Sequence, residues 1–439
     1  MASGIDPEKI SRSFAALDIH DYGDVLQCMR CGLCLPSCPT YRTDGVETET
    51  PRGRVAMIKG VIDGRLEANE EFIEHIYDCL DCRNCQTVCP AGVKAGELVL
   101  EARNRIEENR PQPVIKKFML NYAILSQKRL AKFMPPLRIY QRAGLQSVVR
   151  RFDILKLISE DLRLMEALLP PLPSRPLSDQ IPEEIPARGR EKGRVGFFLG
   201  CAMNLIFGDV SRASIDNITR AGYRVIIPKE VQCCGTPNIA EGERKVYREM
   251  ARNTMRLFQD RSVDAIVTDC AACGAELKTY REIFRKDPVI SNIAEEFSSK
   301  VRDISEFLDS AIDSSVKFGS RPLKVSFHDP CHLRHAQKLI IPQRNLLRRI
   351  PGLDYRELPD EGQCCGSAGI YNITHRQRSM KILEAKIESI DRTRAELVIS
   401  SNPGCLMQLM YGKRQHQKSW NVCHISEFVN ESLKLGENV

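Results

Sequence analysis

The sequence predicts a multidomain chain in which an α-helical domain built around thiolate-bound metal is followed by two copies of one α/β domain. Three observations predict it. Seventeen of the eighteen cysteines fall into four groups, the first two groups are matching twelve-residue runs, and the second half of the chain repeats itself in order. A length of 439 residues allows about three domains. With 42% hydrophobic and 28% charged residues the composition is that of a water-soluble globular protein. Apolar stretches such as VGFFLG fall well short of the roughly 20 residues a membrane-spanning helix needs. The opening MASGIDPEKISRSF has no apolar core and carries acids, unlike a secretory signal or transit peptide, so a cytoplasmic location is expected. Disulfides do not persist there, and clustered thiols hold metal or do chemistry instead.

The first two groups read CMRCGLCLPSCP and CLDCRNCQTVCP, each C-x2-C-x2-C-x3-C-P, the run that holds [4Fe-4S] cubes in two-cluster ferredoxins. Three closely spaced thiolates reach three irons of one cube, and the fourth, carried on before a proline, reaches the other cube. This predicts one cluster on Cys28, Cys31, Cys34 and Cys89, and a second on Cys38, Cys79, Cys82 and Cys85. Structural zinc takes its ligands in C-x2-C pairs and has no use for three at this pitch. Between the runs, Thr50 is placed to cap a helix with Pro51 in its first turn and with Val55, Ile58 and Ile62 at helical spacing. This insert resembles the α-helical ferredoxin domain of succinate dehydrogenase and heterodisulfide reductase iron-sulfur subunits rather than a compact bacterial ferredoxin, and residues 1–110 are assigned to it. Arg52 and Arg54 in TPRGR either offset the negative charge of the clusters or pair at the surface.

Residues 111–190 form a helical connector and a Pro-rich linker. From 111 to 165 eleven basic residues face three acidic ones, whereas the first hundred residues hold ten basic and sixteen acidic. Basic amphipathic helices suit an anionic membrane surface or an acidic partner subunit, and otherwise present a solvated face. Few aromatics and no recognisable binding fold argue against nucleic acid. Six prolines between 170 and 186 predict an extended linker with a domain boundary near 190.

The rest is a tandem repeat, 191–318 and 319–439. RVGFFLGC matches KVSFHDPC, QCCGTPNI matches QCCGSAGI, DAIVTDCAACG matches ELVISSNPGCL, and VRDISEFL matches VCHISEFV. Short apolar runs alternate with helical stretches, which predicts a parallel sheet, and the cysteines come directly after the runs. Parallel strands would bring Cys201, Cys233, Cys234, Cys270 and Cys273 to the carboxyl edge, where open α/β sheets place their sites. The second copy offers Cys331, Cys364, Cys365 and Cys405, with Asn402 at the position of Cys270. One zinc takes four ligands, so five thiols exceed a simple zinc site, whereas an iron-sulfur cluster with one bridging ligand uses five. His328, His332 and His335 surround Cys331, but their counterparts are Phe198, Ala202 and Leu205, so a packing or tuning role is expected rather than ligation. Cys423 aligns with Arg302 and is not expected to be a ligand.

The first repeat is similar to the CCG motif of heterodisulfide reductase, which implies a noncubane [4Fe-4S] cluster there. For the second repeat it leaves the same cluster, an ordinary cube, zinc or an empty site. Taken whole, the chain resembles the iron-sulfur subunits of glycolate oxidase and related D-lactate dehydrogenases in CMRCGLCLPSCPTY, TPRGR, CLDCRNCQTVCPAGV, HDPCHL and SNPGC. That resemblance implies an electron-transfer subunit whose FAD-containing partner oxidises the 2-hydroxy acid, with electrons passing through [4Fe-4S] clusters to quinone or another acceptor. A place on the inner face of the cell membrane would suit a quinone acceptor. No G-x-G-x-x-G fingerprint follows a strand. Two alternatives remain: a heterodisulfide-reductase-like subunit whose CCG cluster reduces a disulfide, and a glycerol-3-phosphate dehydrogenase iron-sulfur subunit.

Overall fold

A computed structural model describes residues 5–14, 23, 25–111, 113–259, 261–360 and 362–437. The outermost residues of the predicted first and last domains, 1–4 and 438–439, lie outside the described residues. The chain forms two compact units. One comprises Met1–Tyr122, Gly235–Tyr247 and Gln363–Leu383, and the other Ala123–Cys234, Arg248–Gly362 and Glu384–Val439.

In the first unit the helices Pro7–Phe14, Pro51–Ile62, Glu70–Tyr77 and Ala95–Asn109 turn their apolar faces together. Ile10, Phe14, Val55, Ile58, Phe72, Ile76, Val99 and Ile106 make the core, with Phe14 edge-on to Phe72 at 5.7 Å between ring centroids. Thr50 caps the helix Pro51–Ile62 as its sequence predicts, its side chain accepting from the N–H of Gly53. A Cβ at Gly53 would lie 2.1 Å from the carbonyl oxygen of Glu47, so only glycine lets the helix start this close to the preceding loop.

The second unit begins within the connector, at Ala123. The connector is helical, but in short pieces that include Met134–Arg142, Leu145–Arg151 and Glu160–Leu168. Pro135 and Pro136 are tolerated only in a first turn, and Gly144 at φ +72° breaks the run after Arg142. Polar groups tie the pieces together: Tyr140, Gln146 and Arg150 all donate to the Glu166 carboxylate. The Pro-rich stretch is not a free linker. Leu177 is buried, the N–H of Ser178 donates to Asn204 Oδ1 at 2.8 Å, and Lys229 donates to the carbonyls of Ser178 and Ile181. The α/β region therefore starts before 190, because extended proline-flanked backbone suits a sheet edge and covers it.

That edge is β1 (Glu184–Ile185), antiparallel to β3 (Tyr223–Ile226) in a sheet ordered β1-β3-β2-β4-β5. Strands β2 (Gly193–Phe197), β4 (Ala265–Thr268) and β5 (Val301–Asp303) are parallel with β3. The second sheet repeats the parallel part as β7-β6-β8-β9, with β6 Lys324–Phe327, β7 Asp354–Tyr355, β8 Leu397–Ser400 and β9 Asn421–His424. Registers match: Val195 pairs with Val225 and Ala265, and Val325 with Tyr355 and Leu397. In both copies the chain leaves the first strand for one neighbour and returns on the other side, creating a switch point at the carboxyl ends of β2/β4 and β6/β8. The copies are joined by helix Gly208–Arg220 against Ile425–Glu437, where Ser214 Oγ meets Ser426 Oγ at 2.8 Å and Asn217 donates to the Ser426 carbonyl.

Asp303 ends β5 and caps the helix Ile304–Ala311, yet its Oδ2 is buried without a hydrogen-bond partner. Burial pushes its pKa up to about 6. Between the unfolded value near 4 and that figure the native state holds the extra proton, so the stability contribution is complete below pH 4 and is lost as pH rises through 6. Asp303→Asn keeps the cap and removes the charge. It is expected to raise the unfolding midpoint at pH 7.5, by on the order of 1–3 kcal/mol of stability, and to change little at pH 4.5 when melted by circular dichroism.

Candidate metal centres

The helical unit sorts its eight cysteines into two cavities. One is lined by Cys28, Cys31, Cys34 and Cys89, the other by Cys38, Cys79, Cys82 and Cys85, so each takes three from one run and one from the other. Tight left-handed turns inside the runs make this possible, at Gly32 (φ +86°), Asp81 (φ 51°) and Arg83 (φ 62°). Backbone N–H groups point at sulfur: Val93 N lies 3.3 Å from Cys89 Sγ and Asp81 N 3.4 Å from Cys79 Sγ. Burial drives the Cys85 thiol well up, and the neighbouring sulfurs of Cys79, Cys38 and Cys34 add to it. Four soft donors crowded into an apolar cavity ionise together only when a metal takes up their charge, so the donor set fits iron-sulfur ligation.

TPRGR supplies one arginine to each cavity. Arg52 lines the first, its Nη1 donating to the Arg30 carbonyl at 2.9 Å and its Nε to Glu47 at 2.6 Å. A Cβ at Gly32 would meet Arg52 Nη1 at 2.8 Å, a second reason for glycine there. Arg54 lines the other cavity and is 1% exposed, with Nη2 2.6 Å from Glu49 and 3.4 Å from Asp78, Nη1 2.7 Å from the Glu49 carbonyl and Nε 2.8 Å from the His75 carbonyl. Surface pairing describes Arg52 in part and Arg54 not at all. Although burial works against its charge, the sulfurs of Cys79 and Cys38 and the carboxylate of Glu49 hold Arg54 firmly protonated. Arg378 pairs with Asp44 and Asp78, and the Tyr371 hydroxyl donates to Asp78 Oδ1 at 3.1 Å while its ring stacks on His375 at 4.5 Å. Sequence reasoning missed Tyr371. The available signal was the repeat itself, since Ala240 stands at that position in the first copy.

In the first repeat Cys201 opens a helix beyond β2, and Cys270 caps the helix Ala271–Phe284 beyond β4, accepting from the N–H of Cys273 at 3.4 Å. Helix N-termini favour thiolates. Cys201 Sγ lies 3.7 Å from Cys233 Sγ. Hydrogen bonds with Cys201 and then Cys234, reinforced by burial, lift the Cys233 thiol, and bonds with Cys234 and Cys270 lift that of Cys273. All five predicted cysteines are thus brought together at the switch point. The Tyr280 hydroxyl fixes the pair by donating to the Cys234 carbonyl at 2.8 Å.

The second repeat places Cys331 beyond β6 and Cys405 in the first turn of the helix Pro403–Gln415 beyond β8. In the other unit Gly366, at φ +88°, donates its N–H to Cys364 Sγ at 3.3 Å, with Cys365 buried beside it. Asn402 stands at the N-cap position that Cys270 holds in the equivalent helix, but its side chain makes no capping hydrogen bond. Its side-chain amide lies 3.6 Å from Cys405 Sγ through Nδ2, and its Oδ1 lies 3.2 Å from Ala272 N and 3.6 Å from Cys270 Sγ, so it joins the cysteines of the two repeats. Of the three histidines, His332 lies 3.6 Å from Cys331 Sγ and His335 bonds the Gly362 carbonyl at 3.1 Å. Cys423 stays on β9, its thiol raised by burial and by Glu427 and Glu431.

Comparison with known proteins agrees with this layout. Residues 24–93 match the 4Fe-4S dicluster domain, 111–169 the linker region of the glycolate oxidase iron-sulfur subunit, and 195–278 and 325–410 the cysteine-rich domain. The chain is 37% identical over 420 residues to the probable glycolate oxidase iron-sulfur subunit of Bacillus subtilis, covering 94% of this chain and 95% of that one. It is 28% identical to the glycolate oxidase iron-sulfur subunit of Escherichia coli, covering 90% and 91%. Lactate utilization protein A of Geobacillus thermodenitrificans is 31% identical over 54% of this chain and 98% of its own. A crystal structure of a hypothetical protein from Helicobacter pylori shares the fold at a TM-score of 0.55 and 9% identity, covering 98% of this chain and 77% of that one. A helical dicluster domain joined to duplicated cysteine-rich α/β domains defines an iron-sulfur protein of electron transport. The chain belongs to the glycolate oxidase iron-sulfur subunit family.

Proposed function

We propose that the chain is the electron-transfer subunit of a flavin-dependent 2-hydroxy-acid dehydrogenase acting on glycolate or D-lactate. Electrons enter from an FAD-containing partner subunit and leave to quinone or another acceptor. The observation that carries this reading is the crossed sorting of eight cysteines into two four-sulfur cavities in one unit, together with a five-sulfur switch point in the other. Clusters bound there supply reversible one-electron storage. The chain's own residues hold the sulfurs, keep water from the buried ones and balance their charge through Arg52 and Arg54. Cys28, Cys31, Cys34 and Cys89 hold one [4Fe-4S] cluster, and Cys38, Cys79, Cys82 and Cys85 the other. Cys201, Cys233, Cys234, Cys270 and Cys273 hold a further iron-sulfur cluster, and Cys331, Cys364, Cys365 and Cys405 a further metal centre.

No described helix is long and apolar enough to cross a membrane. The connector leaves Leu157 88% and Phe152 68% exposed beside Arg151 and Lys156, a surface suited to the partner subunit or to the inner face of the cell membrane. Family resemblance and the names of the relatives support glycolate and lactate over a disulfide substrate. In the test, the anaerobically purified chain is mixed with its co-expressed flavoprotein and assayed for glycolate- and D-lactate-dependent dye reduction. Activity that needs both chains is expected, with about eight irons per chain from the helical domain and more from the repeats. Dye reduction by neither hydroxy acid with a fully iron-loaded chain would reject the reading.

A further inference from the structure

His328 is a buried polar side chain with nothing to bind. It lies one residue beyond β6, is 0% exposed, and neither Nδ1 nor Nε2 has a hydrogen-bond partner. Burial without a partner leaves the imidazole with its full desolvation cost. The fold does not need it. In the first repeat the same place is taken by Phe198, also 0% exposed, and the two backbones make the same bond, Phe198 N to the Val267 carbonyl and His328 N to the Ile399 carbonyl, each at 2.8 Å. An apolar ring therefore fits here, and the second copy carries an unpaired imidazole in its place.

The position is the switch point of the second sheet, and a ring nitrogen of His328 lies within 4.8 Å of Cys405 Sγ. The second repeat is also the copy that lost a cysteine. Its replacement, Asn402, cannot fill the gap, because its Oδ1 is engaged by Ala272 N and its Nδ2 is turned toward Cys405. One thiolate is missing and one imidazole is left over. Neighbouring His332 and His335 do not compete for the role, since each has a partner.

We propose that His328 is a metal ligand of the second repeat, replacing by nitrogen the sulfur lost at Asn402. This departs from the packing or tuning role that comparison with Phe198 suggests from sequence. It rests on the proposed function only in requiring that the second repeat hold a metal. Imidazole with thiolates serves zinc and iron-sulfur centres alike. In an iron-sulfur centre, exchanging thiolate for imidazole raises the potential, as in two-iron clusters ligated by His and Cys. The two repeats would then hold centres of different potential from one duplicated frame.

The test compares the anaerobically purified full-length wild type with His328→Phe and His328→Cys, reading zinc and iron per chain, X-ray absorption at the metal edge, and pulsed paramagnetic resonance on protein labelled with 15N-histidine. In the wild type a nitrogen shell or a histidine nitrogen coupling is expected beyond the metal of the helical domain, zinc or iron telling which centre it is. His328→Phe should lose that metal with its far-UV circular dichroism and the two [4Fe-4S] signals of the helical domain unchanged. His328→Cys should retain the metal and lose the nitrogen signature. Full metal content and an unchanged metal edge in His328→Phe would overturn the proposal while leaving the electron-transfer reading intact. A wild type with neither zinc nor iron in the second repeat would overturn the proposal together with the assignment of metal to that repeat.

Discussion

Serine at Cys38 is expected to abolish the same paramagnetic signal as serine at Cys79, Cys82 or Cys85, and to leave the signal that depends on Cys28, Cys31, Cys34 and Cys89. Sequence neighbours would thus behave as strangers: Cys34→Ser and Cys38→Ser, four residues apart, should remove different clusters. Conversely Cys38→Ser and Cys82→Ser, forty-four residues apart, should remove the same one. Each substitution should lower iron by about one to four atoms per chain, since a [4Fe-4S] cube left with three cysteines either sheds one iron or is lost whole. The expectation follows from the cavity linings, which exchange the fourth cysteine of each run. Iron analysis with low-temperature resonance on the reduced proteins checks it. Loss of both signals together from every variant would mean that the cavities fold only as one unit, and loss grouped by run would mean uncrossed ligation.

The parts legible in the sequence were those governed by short-range rules. C-x2-C-x2-C-x3-C-P sets which sulfurs can reach one cube, and the Thr50–Pro51 cap and the alternation of strand and helix are local signals that the structure reproduces. The strand order of the repeats was not written in any one segment, but the duplication was, and both sheets follow it. What could not be read depends on contacts between distant segments. In the sequence Arg54 either offsets the clusters' charge or pairs at the surface, and its burial follows from Glu49 and Asp78, five and twenty-four residues away. Tyr371 and Arg378 meet Asp78 from about three hundred residues on, a pairing that no periodicity announces. The Pro-rich stretch misled for a different reason: extended backbone reads alike whether it spans solvent or covers a sheet edge, as residues 184–185 do.

Arg54→Met is expected to destabilise the helical unit by about 3–5 kcal/mol, because it leaves the carboxylates of Glu49 and Asp78 buried with less than their compensating charge. Arg378 and His75 remain nearby, with Arg378 Nη1 pairing with Asp78 and lying 3.6 Å from Glu49, and His75 Nδ1 2.6 Å from Glu49, but both are more exposed than Arg54 and neither lines the cavity. A melting transition lower by on the order of 10 °C should follow. The same arginine also donates to the Glu49 and His75 carbonyls, so its loss strips hydrogen bonds from two backbone oxygens as well. Arg54→Lys keeps the charge and forfeits the planar fork, and should fall between wild type and methionine. The decisive comparison is the triple substitution Arg54→Met, Glu49→Gln, Asp78→Asn. If the arginine serves chiefly to neutralise the two acids, removing all three charges should recover much of the lost stability. If it serves chiefly to offset the cluster on Cys38, Cys79, Cys82 and Cys85, the single variant Arg54→Met should hold that cluster at a lower potential than wild type, measured by titration against redox dyes, and the triple variant should recover little stability.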